Sequence, residues 1–167
     1  GQFSGIENTD WSWAPLFGDF DNDSDQDILI TNGFVRDLGD KDFVDYVNPY
    51  AQFNSADKHD VLKMIAQKQG VALENFLFEN NGDLTFKDAS QEWGIVQPWF
   101  SNGAAYSDFD NDGDLDYVIN DINEEALFYE NRARQQGAGG NHYLRLKLVG
   151  PSSNRDAIGA RAELFYN

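Results

Sequence analysis

Apolar residues in this chain fall into short runs that alternate with polar stretches, the spacing of strands and not of long helices. Trp11, Trp13, Leu16 and Phe17 lead into an acidic stretch, and Ile28-Leu29-Ile30 leads out of it. Ala104, Ala105 and Tyr106 lead into a second acidic stretch, and Tyr117-Val118-Ile119 follows. Each pair predicts two strands joined by a loop. The unbroken apolar run at 28–30 predicts burial on both faces. Phe76-Leu77-Phe78-Glu79-Asn80 and Asp83 to Asp88 predict a hairpin around Asn81-Gly82, since Asn-Gly favours a two-residue turn with positive φ at both positions. Ala126 to Asn131 answers Phe76 to Asn80, and both runs end in Glu-Asn. The chain thus holds one unit twice: strand, acidic loop, strand, spacer, strand.

The spacer of the first copy, about residues 33–74, has a different character. Asp42 to Val47 has helical spacing before Pro49. Ser55 to Gly70 predicts a longer helix, capped by Ser55 or Asp57 and ended by Gly70, with Val61, Leu62, Met64 and Ile65 as a packing stripe and His59 in solvent. Residues 132–140 read as a linker. From His142 to Val149 apolar and polar positions alternate, which places Leu144, Leu146 and Leu148 on one face and Arg145 and Lys147 on the other. A last strand is expected from Ala162 to Tyr166. The fold class this predicts is mainly β, with propeller-like blades and a helical insertion. Residues 1–93 form the first blade with its insertion, 94–131 the second, and 141–167 begin a further β module. A closed propeller takes about four to eight blades, so two blades predict a segment of a larger propeller. Alone, they would leave sheet edges open to self-association.

The acidic loops carry the chemistry. Asp108-Phe109-Asp110-Asn111-Asp112-Gly113-Asp114-Leu115-Asp116 and Asp19-Phe20-Asp21-Asn22-Asp23-Ser24-Asp25-Gln26-Asp27 each hold five carboxylates in nine residues, all at odd positions. Like charges this dense repel one another and raise each other's pKa unless a cation joins them. Calcium, a hard ion taking about six to eight oxygens, is the expected partner at both loops. Its expected ligands are the side chains of Asp19, Asp21, Asp23 and Asp27 with the Asp25 carbonyl, and of Asp108, Asp110, Asp112 and Asp116 with the Asp114 carbonyl. An EF-hand is excluded: it needs a Glu at position 12 and flanking helices, whereas Ile30 and Ile119 stand there and β runs follow. Ser24 makes the first loop the weaker of the two, because the sixth position wants positive φ and Gly takes it at no steric cost.

Net charge is −17, from 29 acids against 12 Lys and Arg. Two calcium ions would offset four of those charges. The rest of the surface lacks the basic footprint of a nucleic-acid binder and is poorly suited to anionic lipid. No cysteine is present, so neither disulfides nor Cys-based zinc sites enter. No apolar run is long enough to insert in a membrane. The chain opens Gly-Gln-Phe, without Met or a signal peptide, and Gly1 reads as a processed or added end.

The acidic loops with their following β runs resemble the calcium-binding repeats of the FG-GAP or VCBS type, as in integrin α-subunit propellers. Leu77 to Phe86, His142 to Gly150 and Asn154 to Arg161 resemble the cartilage-acidic-protein family and its ASPIC/UnbV module. The helical insert that begins Thr31-Asn32-Gly33-Phe34-Val35-Arg36-Asp37 is similar to that of large surface or secreted proteins of Bacteroidetes-like bacteria. The resemblance implies a β-propeller, Ca²⁺ at the blade loops and an extracytoplasmic location. The function expected is a calcium-stabilised extracellular binding or scaffold module for a protein or glycan ligand. Trp11, Trp13, Trp93 and Trp99 are expected to pack, with a sugar platform as the alternative. The other reading is a segment of a carbohydrate-active or other hydrolytic enzyme. Against it, the acids are accounted for by ion ligation, no Ser/His/Asp signature is present, and His59 and His142 sit in unpromising contexts. Catalysis is not expected here.

Overall fold

The computed structural model of the chain describes residues 1–51, 55–133 and 143–165, and the side chains of 49–57 are not described. The 134–140 part of the expected linker, His142 and Tyr166 lie outside the described residues, as do the side chains of the two expected helix caps. Among the described residues the chain is mainly β, built of antiparallel sheets, and no sheet closes into a barrel or propeller.

The first sheet has the order β1 (Ser12–Gly18), β2 (Asp27–Asn32), β4 (Phe76–Asn80), β5 (Phe86–Asp88). The second has the order β7 (Ser101–Ser107), β8 (Asp116–Asp121), β9 (Leu127–Tyr129). A small sheet joins β3 (Leu73–Glu74) to β6 (Pro98–Trp99). The repeat seen in the sequence is a repeat of registers. Gly18 faces Asp27 and Ser107 faces Asp116, at the ends of the two acidic loops. Each hairpin also carries an irregularity in register near its far end, between Ser12 and Pro15 in one and between Ser101 and Gly103 in the other. An extra residue at such a point bends and twists the strand.

Strand β2 is buried along its whole length, as its unbroken apolar run predicts. Its alternate residues serve two cores. Leu29 points into the larger one, with Phe20, Leu77, Ile95, Tyr117 and Ile119. This cluster draws on both sheets and joins them. Ile28 and Ile30 point the other way, pack with Phe78, and are covered by Ile6, Phe76 and Phe86. The N-terminal segment is held over this second face where the Phe86 amide donates to the Ser4 carbonyl at 3.0 Å. Away from the acidic loops the sheets are tied by polar groups. Asn75, completely buried, accepts from the Asn32 amide at 2.8 Å and donates to Ser101 Oγ at 3.0 Å.

The insertion is helical: α1 (Lys41–Ala51) and α2 (Ser55–Gln67). Asp40 caps α1, its Oδ1 accepting from the amides of Asp42 and Phe43 at 3.0 and 3.3 Å. Lys68 Nζ donates to Asp40 Oδ2 at 2.7 Å and lies 4.9 Å from the Phe43 ring centre. Val61, Met64 and Ile65 are half-buried and His59 is exposed, but Leu62 is 63% exposed and does not join the stripe.

Four local expectations are corrected. Helix α1 extends past Pro49 to Ala51, so the proline does not mark its end. Gly70 does not take positive φ. It is required because a Cβ there would lie 2.5 Å from the Phe34 carbonyl oxygen, where the chain enters and leaves the insertion side by side. The 81–85 turn is longer than two residues: the Asn81 amide donates to the Thr85 carbonyl at 3.0 Å, and positive φ falls on Gly82 and Leu84. Last, residues 143–149 form no strand, and Leu144, Leu146 and Leu148 are as open as Arg145 and Lys147. The alternation is present, but among the described residues no sheet edge pairs with it. The same holds for 162–165.

Candidate metal centre

Both acidic loops are nine-residue turns between the first two strands of a sheet, and both are shaped by their own carboxylates. In the first, the Asp23 amide donates to Asp19 Oδ1 and Asp21 Oδ1 at 3.0 and 3.1 Å, the Ser24 amide to Asp19 Oδ2 at 3.1 Å, and the Asp25 amide to Asp23 Oδ1 at 2.8 Å. In the second, the Asp112 amide donates to Asp110 Oδ1 at 3.1 Å and the Asp114 amide to Asp112 Oδ1 at 2.9 Å. An Asp that accepts from the amide two residues on makes the backbone turn. Spacing the acids at odd positions repeats that turn and leaves the opposite oxygens gathered on one side. The fourth and sixth positions take positive φ in both loops: Asn22 at 60° and Ser24 at 81°, Asn111 at 66° and Gly113 at 99°. Ser24 therefore adopts the glycine conformation in spite of its Cβ, which is a strained choice.

The ninth residue of each loop is already occupied by the backbone. Asp27 Oδ2 accepts from the Phe20 amide at 3.0 Å, and Oδ1 from the Asn80 amide at 2.9 Å. Asp116 Oδ2 accepts from the Phe109 amide at 2.9 Å, and Oδ1 from the Asn131 amide at 2.8 Å. The Asn side chains reach the same loops: Asn80 Nδ2 donates to the Gln26 carbonyl at 3.0 Å, and Asn131 Nδ2 to the Leu115 carbonyl at 3.3 Å. The third strand thus braces the loop made by the first two. Sequence reasoning noted the repeated Glu-Asn without giving Asn80 and Asn131 this role. Their common distance from the end of each β run was the available signal.

Of the ten acids singled out from the sequence, six bring carboxylate oxygens together. Asp19, Asp21 and Asp23 form one group and Asp108, Asp110 and Asp116 the other, one carboxylate oxygen from each residue lying within 4.8 Å of those of the others. The other four lie differently. Asp27 is buried and braced as described. The Asp112 side chain caps the Asp114 amide. Asp25 directs Oδ2 toward the neighbouring 81–85 turn, 3.0 Å from where a Cβ on Gly82 would sit. Asp114 is completely buried and accepts from Asn22 Nδ2 of the first loop at 2.8 Å.

Burial raises the pKa of Asp21 to about 6, and the charges of Asp23 and Asp19 add to the rise. Burial likewise raises Asp27 to about 6, against the pull of the Asn80 and Phe20 amides. Asp19 is raised by burial. At Asp110 the Asp112 amide pulls the pKa down, but burial and the charges of Asp112 and Asp116 outweigh it. Asp108 Oδ1 is shut off from solvent and has no hydrogen-bond partner. Crowded carboxylates with elevated pKa and an orphaned buried oxygen fit a hard cation, which supplies the missing positive partner. Two Asp-rich groups that could hold a metal ion are therefore present.

Beside the first loop a cleft of about 630 Å³ opens, lined by Phe20, Asp21, Trp93, Tyr117, Tyr129 and Glu130 among others. Burial raises both tyrosine hydroxyls, so they stay neutral. The acids of this cleft outside the loops are ion-paired: Glu79 and Glu92 with Lys87 at 3.1 and 2.8 Å, and Glu130 with Arg132 at 2.9 Å. Trp11 and Trp13 are about half exposed, at 50% and 48%, with ring centres 6.2 Å apart. Trp93 and Trp99 are half-buried.

Fold and loops together define a mainly antiparallel β protein with two Asp-rich groups suited to a metal. Among characterised proteins, human cartilage acidic protein 1 (Homo sapiens) is 32% identical to it over 100 residues, a stretch covering 56% of this chain and 15% of that protein. The match at most supports kinship with cartilage acidic protein. The chain spans a small part of that relative's length, and the likeness does not reach the FG-GAP assignment. No family model matches the chain, and no solved structure matches it. Among the described residues no helix is long and apolar enough to cross a membrane.

Proposed function

We propose that this chain is a calcium-binding module in which Ca²⁺ is structural. One ion ties each Asp-rich loop and so fixes the hairpin that opens each sheet. The observation that carries this reading is the convergence of three carboxylates in each loop, strengthened in the second by the orphaned Asp108 Oδ1. Calcium suits these sites better than Mg²⁺, which demands near-octahedral geometry and keeps more of its water. The two sheets are FG-GAP or VCBS-type blades of a larger propeller, in an extracytoplasmic protein where calcium is abundant. Their role is binding or scaffolding toward a protein or glycan, and the open sheet edges offer a route to self-association. Binding is favoured over catalysis because the cleft acids outside the loops are ion-paired.

Calorimetric titration of chelator-treated protein with Ca²⁺ and then Mg²⁺ tests this. Two equivalents of Ca²⁺, with Mg²⁺ weaker by at least about tenfold, are expected. Heat-silent titration at millimolar Ca²⁺ would return the loops to being acidic turns.

A further inference from the structure

The two acidic loops lie 89 positions apart in sequence yet touch in the fold. Asn22, fourth in the first loop, donates Nδ2 to Asp114 Oδ1, seventh in the second, at 2.8 Å. Asn131 Nδ2 donates to the Phe20 carbonyl of the first loop at 2.6 Å while its amide braces Asp116 of the second. The Phe20 ring meets Tyr117 and Tyr106 of the second sheet edge-on, with centres 5.8 Å apart in each case. Asn111 occupies the fourth position of the second loop with nearly the same φ as Asn22, but its side chain is exposed. The cross-sheet bond therefore runs one way, from the first loop into the second.

We propose that the ion site of the Asp108 loop is shared between the two sheets, with Asn22 as a positioning residue for Asp114. This rests on the calcium reading above. Asp114 is completely buried, and a buried carboxylate needs donors. Its own loop supplies the contact at its amide, to Asp112. Asn22 supplies one at its carboxylate from outside the loop. Asn22 so fixes the residue whose main-chain carbonyl the loop pattern assigns to the ion. A change in the first loop then weakens the second site even when the second loop is untouched.

The test silences the first loop with Asp21→Asn and compares Asn22→Gly with Asn111→Gly in that background. Glycine keeps the positive φ at either position, so each change removes an amide and little else. Calcium affinity of the remaining site is read by calorimetry, and thermal melts in chelator control for folding. Asn22→Gly is expected to weaken that site about tenfold, the scale of one hydrogen bond to a charged group. Asn111→Gly is expected to weaken it less, with the two variants melting alike in chelator. Equal affinities for the two glycine variants would overturn the shared site while leaving the calcium reading intact. Absence of calcium binding by the unaltered protein would overturn both.

Discussion

Ser24 and Gly113 hold equivalent places, and the contrast between them sets what each loop tolerates. Ser24 sits at φ 81° with a Cβ, a conformation that costs an ordinary residue about 1–2 kcal/mol. Ser24→Gly is expected to stabilise the protein by about 0.5–1 kcal/mol after the entropy of the added glycine is charged against it. A chemical-denaturation midpoint that falls would contradict this. Gly113 faces two constraints: φ of 99°, and the Tyr143 ring packed where a Cβ would go. Gly113→Ala is therefore expected to displace Tyr143 and destabilise the second loop by at least about 1 kcal/mol, read as a lower melting temperature. The carboxylates add a pH dependence. Asp21 and Asp27 rise to about 6 in the folded chain, so without metal the folded state holds protons that the unfolded state releases above about 4. Metal-free protein should lose stability as pH rises from about 4 through 6. Calcium needs the ionised form, so its affinity should climb over the same window and its binding near pH 5.5 should release protons. Melts in chelator that improve between pH 5 and pH 7 would refute the assignment.

At the scale of elements, the hairpin carrying an acidic loop is incomplete without the strand beside it. Asn131 makes bonds to Asp116, Leu115 and Phe20 at once. Asn131→Ala keeps the amide but loses the side-chain pair, and is expected to cost about 2–3 kcal/mol, seen as a lower unfolding midpoint with or without calcium. This brace marks the limit of what the sequence disclosed. The strands, the two loops, the helical insertion and the burial of β2 were legible because each is a local pattern of spacing. The partner of Asp114 was not, since Asn22 meets it only once two sheets have packed. Gly70 was misread for a related reason: a helix-stopping glycine and a glycine under a neighbouring backbone look alike in a string of letters. The alternating stretch at 143–149 satisfied the strand pattern, but a strand is defined by its neighbour, and no pairing edge reaches it among the described residues.

For the molecule as a whole, one core joins the two sheets. Leu29 and Leu77 come from the first, Tyr117 and Ile119 from the second, with Phe20 of the first loop among them. The first acidic loop is thus continuous with the packing between sheets. Leu77, 1% exposed, is the plainest probe: Leu77→Ala is expected to cost about 2–5 kcal/mol and to lower the stability of both sheets together. Separate unfolding of the two sheets by hydrogen exchange would contradict a common core. Among the described residues β9 pairs with β8 alone.

If calcium holds the two acidic loops and, through them, the sheets, chelator-treated protein melts higher with millimolar Ca²⁺ than without it. Calcium at about a hundred times its Kd should add about 2.7 kcal/mol per site, a rise in Tm of several degrees that Asp19→Asn and Asp108→Asn each reduce and together abolish. A Tm indifferent to calcium in the unaltered protein would contradict the account.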